Sequence, residues 1–363
     1  MLLPRPVIFY IDPLWRKKEA KHIPLLYPFW GMPEQTDKPL NIPERYRFDT
    51  SCYALTEEIT KSDFVLVPYN YNFISEKNPV LFEKIVSFAQ KNKKPLLIDG
   101  AGDIEKPIAI KDAYVLRIGP YRFQHKENEI VITPYPDDML RHRNGELIIR
   151  PKGDIPIVGF AGWSKLTLKQ RVRTELKMLP YRLLSFFDSR YGAYEKGVVF
   201  RGRALSTLSA APETLLKANF IKRISFSGHL NTAVGDPWKL REEFVQNLIE
   251  SDYALSVRGD ANASTRFYEA LSLGRIPLFL DTECVLPFED EIDYKSFCVF
   301  VDFRKVKTMP GVLAEFHKKV TNEHFMEMQR KAREVFASYL RTDALTKPLM
   351  QRLLKIAENH QSK

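Results

Sequence analysis

Residues 251–288 read SDYALSVRGDANASTRFYEALSLGRIPLFLDTECVLPF, and this stretch decides the fold class. Tyr253–Val257 is an apolar run of strand length, and a loop of small and polar residues follows it. Ser264 is a suitable N-cap for a helix that ends at Gly274. Ile276–Leu280 then forms a second apolar run. A strand, a helix and a strand in this order predict one βαβ unit of a buried parallel sheet.

The loop and the start of this helix are suited to an anion. They lie at the carboxyl end of a strand, where free N–H groups and the helix dipole favour phosphate. Arg258 and Arg266 add two guanidinium groups that match a diphosphate. Glu269, one helical turn further on, is placed to accept two hydrogen bonds from ribose hydroxyls. Alternatively, Arg266 and Glu269 form an ordinary surface pair three residues apart. The convergence of all these features in one short stretch favours the binding site.

The same alternation of apolar runs and helical stretches extends along the chain. Residues 64–99 form another βαβ unit, with strands Phe64–Pro68 and Pro95–Asp99 around the helix Pro79–Lys91. Arg150–Pro156 (RPKGDIP), rich in proline, glycine and charge, is the expected linker. The remaining predicted strands are Val7–Ile11, Ala113–Ile118, Ile130–Ile132, Ile157–Phe160 and Ile224–Ser227. The remaining predicted helices are Thr167–Leu179, Pro237–Ser251 and much of Leu313–Ala357.

Two successive series of this kind predict an α/β fold with two doubly wound, Rossmann-like domains. We expect the first domain to span residues 1–152 and the second residues 153–340, and a final helix within residues 341–363 to cross back to the first. Ligands of such sheets bind beyond the carboxyl ends of the strands, so we expect the site in a central cleft that both domains face.

The amino-acid composition indicates which kinds of molecule the protein is expected to bind. The 363 residues include 55 Lys and Arg against 45 Asp and Glu, a net charge of +10. Such a protein is expected to bind an anion: nucleic acid, a membrane surface or a phosphorylated ligand.

The sequence also bears on the compartment. No run approaches the ~18 to 20 apolar residues that span a bilayer. Cys52, Cys284 and Cys298 show no CxxC spacing, so we expect a reducing compartment. These features predict a cytoplasmic protein. Its positive charge would also allow peripheral contact with a membrane.

The 251–288 stretch resembles the exostosin-like glycosyltransferases. Their signature has an Arg-Gly turn, a Ser-x-Arg-x-x-Glu-Ala-Leu helix, a Gly-x-Ile-Pro strand and a Leu-Pro-Phe turn. Those blocks stand here, in the same order, as Arg258-Gly259, Ser264–Leu271, Gly274–Pro277 and Leu286–Phe288. Weaker similarity extends to Asp63–Pro68 (DFVLVP), like the family's amino-terminal acidic strand, and to Ile157–Gly162 (IVGFAG), like the strand that opens its second domain.

The resemblance implies a GT-B fold and transfer of a sugar from a nucleotide sugar, with inversion. The donor would lie on the second domain and the acceptor on the first, and UDP is the expected nucleotide because the family mostly uses it. The donor-binding residues carried over are the turn Arg258-Gly259, Ser264 and Arg266 for the diphosphate, Glu269 for the ribose, and Arg223 as a further phosphate ligand. Arg223 alternatively solvates the start of a strand. Asp260 replaces a small residue of many relatives, so the loop would suit another sugar or donor shape.

A transferase of this kind needs charge stabilisation and a base. We find no DxD triplet, so arginines and a helix dipole would stabilise the leaving diphosphate without a metal or other cofactor. Asp99 and Asp103, in Leu96–Asp103 (LLIDGAGD), are the expected bases for the acceptor hydroxyl. Alternatively, Asp99 caps a turn and Asp103 starts a helix. His229 is a rival catalytic residue, either as the base or as a donor to phosphate; alternatively it is a structural loop histidine. Asp137 and Asp138 follow a proline and rank last, as a turn.

Three readings of function therefore remain, of which the transferase is favoured. Its partners would be a nucleotide sugar and an oligosaccharide, polysaccharide or lipid-linked glycan, as in polysaccharide biosynthesis. The second reading is a non-catalytic relative that assists another glycosyltransferase. The third, a basic nucleic-acid-binding protein, is disfavoured because no RNA- or DNA-binding motif occurs and the basic residues are dispersed. Arg171 and Arg173, on a basic helix, are expected on a solvated face.

Overall fold

The computed structural model describes residues 3–17, 20–32, 43–223 and 235–361, and two parallel sheets organise them. The strands are β1 (Val7–Tyr10), β2 (Tyr53–Thr56), β3 (Phe64–Leu66), β4 (Leu96–Asp99), β5 (Ala113–Arg117), β6 (Glu129–Val131), β7 (Ile157–Trp163), β8 (Lys217–Arg223), β9 (Tyr253–Ser256), β10 (Ile276–Asp281) and β11 (Val299–Asp302). The α-helices are α1 (Tyr27–Trp30), α2 (Tyr71–Lys77), α3 (Pro79–Lys91), α4 (Leu168–Ser185), α5 (Gly197–Ser209), α6 (Pro237–Ile249), α7 (Thr265–Ser272), α8 (Met309–Lys319), α9 (Asn322–Val335) and α10 (Thr342–Gln361).

Both sheets follow the same winding. The first has the order β2-β1-β3-β4-β5-β6 and the second the order β11-β10-β9-β7-β8, with every neighbouring pair parallel. Strands β3, β4 and β9 are buried along their whole length, because helices cover both faces of a sheet wound in this way. The winding reverses between β1 and β3 in the first sheet and between β7 and β9 in the second. Such a reversal leaves a crevice at the carboxyl ends of the two strands.

The elements agree with the predicted pattern except where a strand lies at an edge or a helix lacks clear periodicity. Strands β2, β8 and β11 and helices α1, α2 and α5 were not predicted. The strand predicted at Ile224–Ser227 lies outside the described part of the chain and stays a prediction. Strand β8 lies at the edge of the second sheet, reads KANFIKR and is partly exposed. An exposed edge strand need not be apolar, so hydrophobicity does not reveal it.

Two kinds of contact join the two halves of the molecule: hydrogen bonds between residues 120–122 and residues 284–285, and the packing of the last helix against the first sheet. The backbone N–H of Val285 donates to the carbonyl of Pro120 over 3.0 Å, and the Arg122 guanidinium donates to the carbonyl of Cys284 over 3.0 Å. Helix α10 packs against the first sheet, where the hydroxyl of Thr346 accepts a hydrogen bond from the N–H of Asp49 over 3.1 Å.

The predicted α/β class, with two doubly wound parallel sheets, is confirmed, and this is the arrangement of a GT-B fold. The domain limits at residues 152 and 340 stay a prediction. None of the described helices is both long enough and apolar enough to cross a membrane.

Candidate functional site

Arg201 marks the crevice of the second sheet. It projects from α5, and its guanidinium donates over 3.2 Å to the carbonyl of Trp163 at the end of β7 and over 2.9 Å to the carbonyl of Arg258 after β9. It therefore bridges the two strands between which the winding reverses. Burial lowers the pKa of Arg201 to about 10; the nearby Asp260 carboxylate opposes this effect and the Arg258 guanidinium adds to it.

Arg266 enters the same crevice from the first turn of α7. Its guanidinium donates over 2.7 Å to the carbonyl of Ala161 in β7 and lies 4.2 Å from the centre of the Phe160 ring. Gly162 makes room for it, because a Cβ there would lie 2.6 Å from the Arg266 Nη2 atom. Burial, and then the neighbouring Arg201, lower the pKa of Arg266 to about 9, so this guanidinium is still charged at neutral pH.

Arg258 lies at the junction of the two halves. Its buried guanidinium donates over 2.8 Å to the carbonyls of Ala193 and Asp260, and it also donates to the hydroxyl of Tyr121 from the first half. The loop after β9 is held closed by a 2.8 Å hydrogen bond from the N–H of Gly259 to the carbonyl of Ala263. Arg258 thus holds this loop against the first half of the molecule.

Three arginines meet around this crevice without a directly bonded carboxylate. Among the described residues, Arg201, Arg258 and Arg266 form no ion pair, although ion pairs are frequent elsewhere in the molecule. The Nε atoms of Arg201 and Arg266 are buried and have no hydrogen-bond partner there. A buried donor without an acceptor is costly, and an anion in the crevice would relieve that cost.

Ser264 stands at the N-cap position of α7, as predicted, but its hydroxyl makes no capping hydrogen bond. The side chain is nevertheless buried in the loop after β9. The start of α7 therefore adjoins the loop that carries Arg258 and Gly259, and the Ser264 side chain does not cap the helix. Such a helix start favours a negatively charged ligand.

Glu269 is buried in an ion-pair network and not on a surface. Its carboxylate accepts a 2.8 Å hydrogen bond from Arg241 of α6, and Arg241 also reaches Asp137 over 3.2 Å. The alternative of a surface pair between Arg266 and Glu269 is wrong, because both side chains turn inward and each bonds elsewhere. A carboxylate held in this way, one turn below the helix start, is rigidly oriented.

Arg223 and His229 are not brought into the arginine cluster by any described contact. Arg223 is the last residue of β8, and its guanidinium pairs with Glu243 of α6. This contact satisfies the group without a phosphate, so its role as a phosphate ligand stays a prediction. His229 lies outside the described residues.

The two candidate bases differ sharply in exposure. Asp99, the last residue of β4, is only 4% exposed; its Oδ1 accepts from the N–H of Ala101 over 2.9 Å and from Asn70 over 3.2 Å. Burial raises the pKa of Asp99 to about 6. Asp103 is exposed, and its pKa is raised first by desolvation and then by the Asp260 carboxylate across the cleft. Asp99 does cap a turn, whereas no described helix begins at Asp103.

Asp137 and Asp138 are structural and not a simple surface turn. Asp137 is buried and is ion-paired with Arg141 over 2.9 Å as well as with Arg241. Asp138 accepts hydrogen bonds from Arg333 and caps a short 3₁₀ turn. Both residues connect the end of the first half to helices of the second.

Arg201 and Arg241 are the site residues that reasoning from sequence missed. Each lies on a helix, α5 or α6, in which no local sequence motif distinguishes it from the other charged residues of that helix. Their positions depend on packing across the sheet, and no local motif identifies them. Within the described residues, no group of three or more His, Cys, Asp or Glu side chains is arranged to hold a metal ion.

Comparison with known proteins identifies the second half. Residues 196–316, about a third of the chain, match the family model of the Exostosin GT47 domain. The probable arabinosyltransferase ARAD1 of Arabidopsis thaliana is 28% identical over 95 residues, covering 26% of this chain and 21% of that protein. The exostosin-1 homolog of Caenorhabditis elegans is 30% identical over 102 residues, covering 28% and 26%. Exostosin-1 of Drosophila melanogaster is 29% identical over 99 residues, covering 27% and 12%.

The matched stretch thus spans about a quarter or less of these curated relatives. Among solved structures, a glycosyltransferase from Rickettsia africae ESF-5 superposes over 84% of this chain and 87% of its own, with a TM-score of 0.35 and 9% identity, a likeness too distant to argue from. Of the arginine cluster and its surroundings, Arg201, Arg258, Arg266 and Glu269 all fall within residues 196–316. The resemblance to exostosin-like glycosyltransferases is therefore confirmed, and residues 196–316 of this chain are similar to the exostosin GT47 domain.

Proposed function

We propose that the protein is a glycosyltransferase that moves a sugar from a nucleoside diphosphate sugar, UDP first among the candidates, to a glycan acceptor. The observation that carries the proposal is the cluster of Arg201, Arg258 and Arg266, which are charged, mostly buried and without a carboxylate partner. A diphosphate at the start of α7 would supply the missing acceptors. The printed names of the relatives, an arabinosyltransferase and exostosins, favour sugar transfer over other uses of such a site.

The reaction follows from the charges. An acceptor hydroxyl attacks the anomeric carbon from the face opposite the leaving group, and the bond from that carbon to the diphosphate oxygen breaks. Negative charge grows on the leaving oxygen, where the three guanidinium groups and the helix dipole stabilise it in place of a metal ion. Attack from the opposite face inverts the anomeric configuration.

Asp103 is the better placed base in this proposal. It is exposed at the cleft and faces the Asp260 loop, whereas Asp99 is almost completely buried and its Oδ1 is engaged with a backbone N–H and an amide. A base must touch the hydroxyl that it deprotonates. A raised pKa also makes the Asp103 carboxylate a stronger base than an ordinary surface aspartate.

Nucleotide binding tests the donor site. Calorimetric titration with UDP and GDP, in magnesium and in EDTA, is run on wild type, on Arg266→Met and on Arg330→Met, an exposed arginine of the second half that serves as the control. We expect one nucleotide to bind equally in both buffers and Arg266→Met to weaken it about 10- to 100-fold, the effect of losing a charge-assisted hydrogen bond. Arg330→Met should bind as wild type does.

Turnover tests catalysis separately. Release of UDP from a panel of UDP-sugars is compared between wild type and Asp103→Asn. Loss of release with nucleotide binding retained supports Asp103 as the base. Nucleotide binding without release from any donor and acceptor pair would favour the non-catalytic partner, and no nucleotide binding at all would refute the donor site.

The compartment is part of the proposal. All three cysteines are free and buried, as suits a reducing cytoplasm. Metal-independent chemistry and the absence of any required cofactor are proposed together with the arginine site; the titration in EDTA tests the metal, and UDP release by the purified protein without added cofactor tests the rest.

A further inference from the structure

Helix α4 presents an apolar stripe to solvent. Leu168, Val172, Leu176, Leu179 and Leu183 recur every three or four residues along it, and each is more than half exposed. Phe186 and Phe187, just beyond its end, are 85% and 92% exposed. Apolar residues with this spacing share one face of a helix, and a soluble protein normally buries such a face.

The opposite face of α4 already packs against the protein. Thr174 and Met178 are its buried residues, and the helix contacts the following turn, Ser189–Tyr194. The helix is fixed at its start by a capping box in which Thr167 and Gln170 bond to each other's backbone. The stripe therefore faces solvent because the other side of the helix is the one that packs against the protein.

Unpaired cations flank the stripe. Lys169, Arg171, Arg173 and Lys177 are all exposed, and none forms an ion pair with a described residue. Arg182 alone is neutralised, by Glu175 and Glu195. The sequence prediction that Arg171 and Arg173 are exposed therefore holds, but the face between these cations is apolar.

We propose that α4 and Phe186–Phe187 form a membrane-docking surface that lies in the plane of an anionic lipid bilayer. An amphipathic helix with cations beside its apolar face inserts the apolar side chains among the acyl chains and leaves the cations at the lipid phosphates. A second copy of this chain fits the surface less well than a bilayer does. If two copies packed their apolar stripes together, their unpaired cations would lie close to one another and repel.

The surface is connected to the candidate donor site. Strand β7, whose end carries the Ala161 and Trp163 carbonyls that Arg266 and Arg201 bind, leads directly into α4. The amino-terminal end of α4 therefore follows the carboxyl end of β7, where the crevice opens, within a few residues. The docking itself does not require sugar transfer, so it can be tested even if the proposed function fails.

Vesicle sedimentation of the full chain tests the surface. Vesicles of phosphatidylcholine alone are compared with vesicles containing about one-third phosphatidylserine. The variant F186S/F187S removes the two exposed phenylalanines just beyond α4. Its control, L14S/V80S, removes two exposed apolar side chains from the first half of the chain. The variant K169E/R173E reverses two flanking charges, and K84E/K91E makes the same charge change on α3.

We expect binding to the anionic vesicles, weakened about tenfold or more by F186S/F187S and by K169E/R173E, and unchanged in the two controls. Added salt should weaken binding as well, because it screens the cations. Failure to bind anionic vesicles, or equal binding by F186S/F187S and wild type, would overturn the proposal. A dimer in solution that F186S/F187S dissociates, without vesicle binding, would overturn it in favour of a second copy.

Discussion

Asp99→Asn removes one buried negative charge from the end of β4 and keeps the local hydrogen bonds. The carboxylate accepts from the N–H of Ala101 and from the side chain of Asn70 through a single oxygen, Oδ1. An asparagine carbonyl can accept both. The substitution therefore isolates the free energy of burying the charge, with little change in shape or packing.

The magnitude follows from the pKa. Burial raises the pKa of Asp99 to about 6, from 3.8 in the absence of the fold. The folded protein holds the proton more tightly, so stability from this group is complete below pH about 4 and is lost as the pH rises through about 6. A shift of this size corresponds to about 3 kcal/mol. Above pH about 6, Asp99→Asn should thus be more stable than wild type by up to ~3 kcal/mol, and near pH 4 the two should be equal.

Urea unfolding, followed by tryptophan fluorescence at a series of pH values, measures this difference. Trp15 and Trp30 lie in the first half, and Trp163 and Trp238 lie in the second, so the signal reports unfolding of both halves. Glu57→Gln, which removes an exposed carboxylate of the same half, is the control and should follow wild type at every pH. A difference between Asp99→Asn and wild type that is the same at pH values near 4.5 and near 7.5 would refute the raised pKa.

Three further substitutions probe the packing around the site. Gly197→Ala should lower the free energy of unfolding by about 1–3 kcal/mol and weaken UDP binding, because its Cβ would lie 2.2 Å from the carbonyl oxygen of Gly259; urea unfolding and calorimetry measure the two effects. Gly311→Ala, in open space on α8, should instead raise the free energy of unfolding by about 0.5–1 kcal/mol, because alanine loses less backbone freedom than glycine when a helix forms. A lower free energy of unfolding would contradict this expectation. Arg241→Met should cost about 3–5 kcal/mol, since it leaves the buried Glu269 carboxylate without an ion pair and Asp137 with Arg141 only, and an unchanged urea midpoint would refute this.

The arginine crevice explains why the second sheet carries the donor site in the proposed function. The reversal of winding between β7 and β9 opens a gap, and side chains from α5 and α7 enter it from different directions. Arg201 and Arg266 both use backbone carbonyls at the strand ends as partners. Carbonyls orient a guanidinium without neutralising its charge, so the charge stays available to a ligand.

Much of the local structure was predictable because its causes are local. The apolar runs that became β9 and β10, the N-cap position of Ser264 and the helix end at Gly274 depend on residues within a few positions of one another. Arg258 and Arg266 were identified for the same reason. Strand β8 was not predicted, because an edge strand in contact with solvent lacks the apolar pattern.

By itself, the sequence determined the α/β class, the two series of parallel strands, and the loop and helix that carry Arg258 and Arg266. Only the tertiary structure decided which other side chains meet them. Arg201 comes to the crevice from α5, Arg241 pairs with Glu269 from α6, and the outward face of α4 is apolar because its other face packs inward. The reason is physical: periodicity and capping act over a few residues, whereas burial, charge pairing and exposure depend on which distant elements the packed sheets bring together.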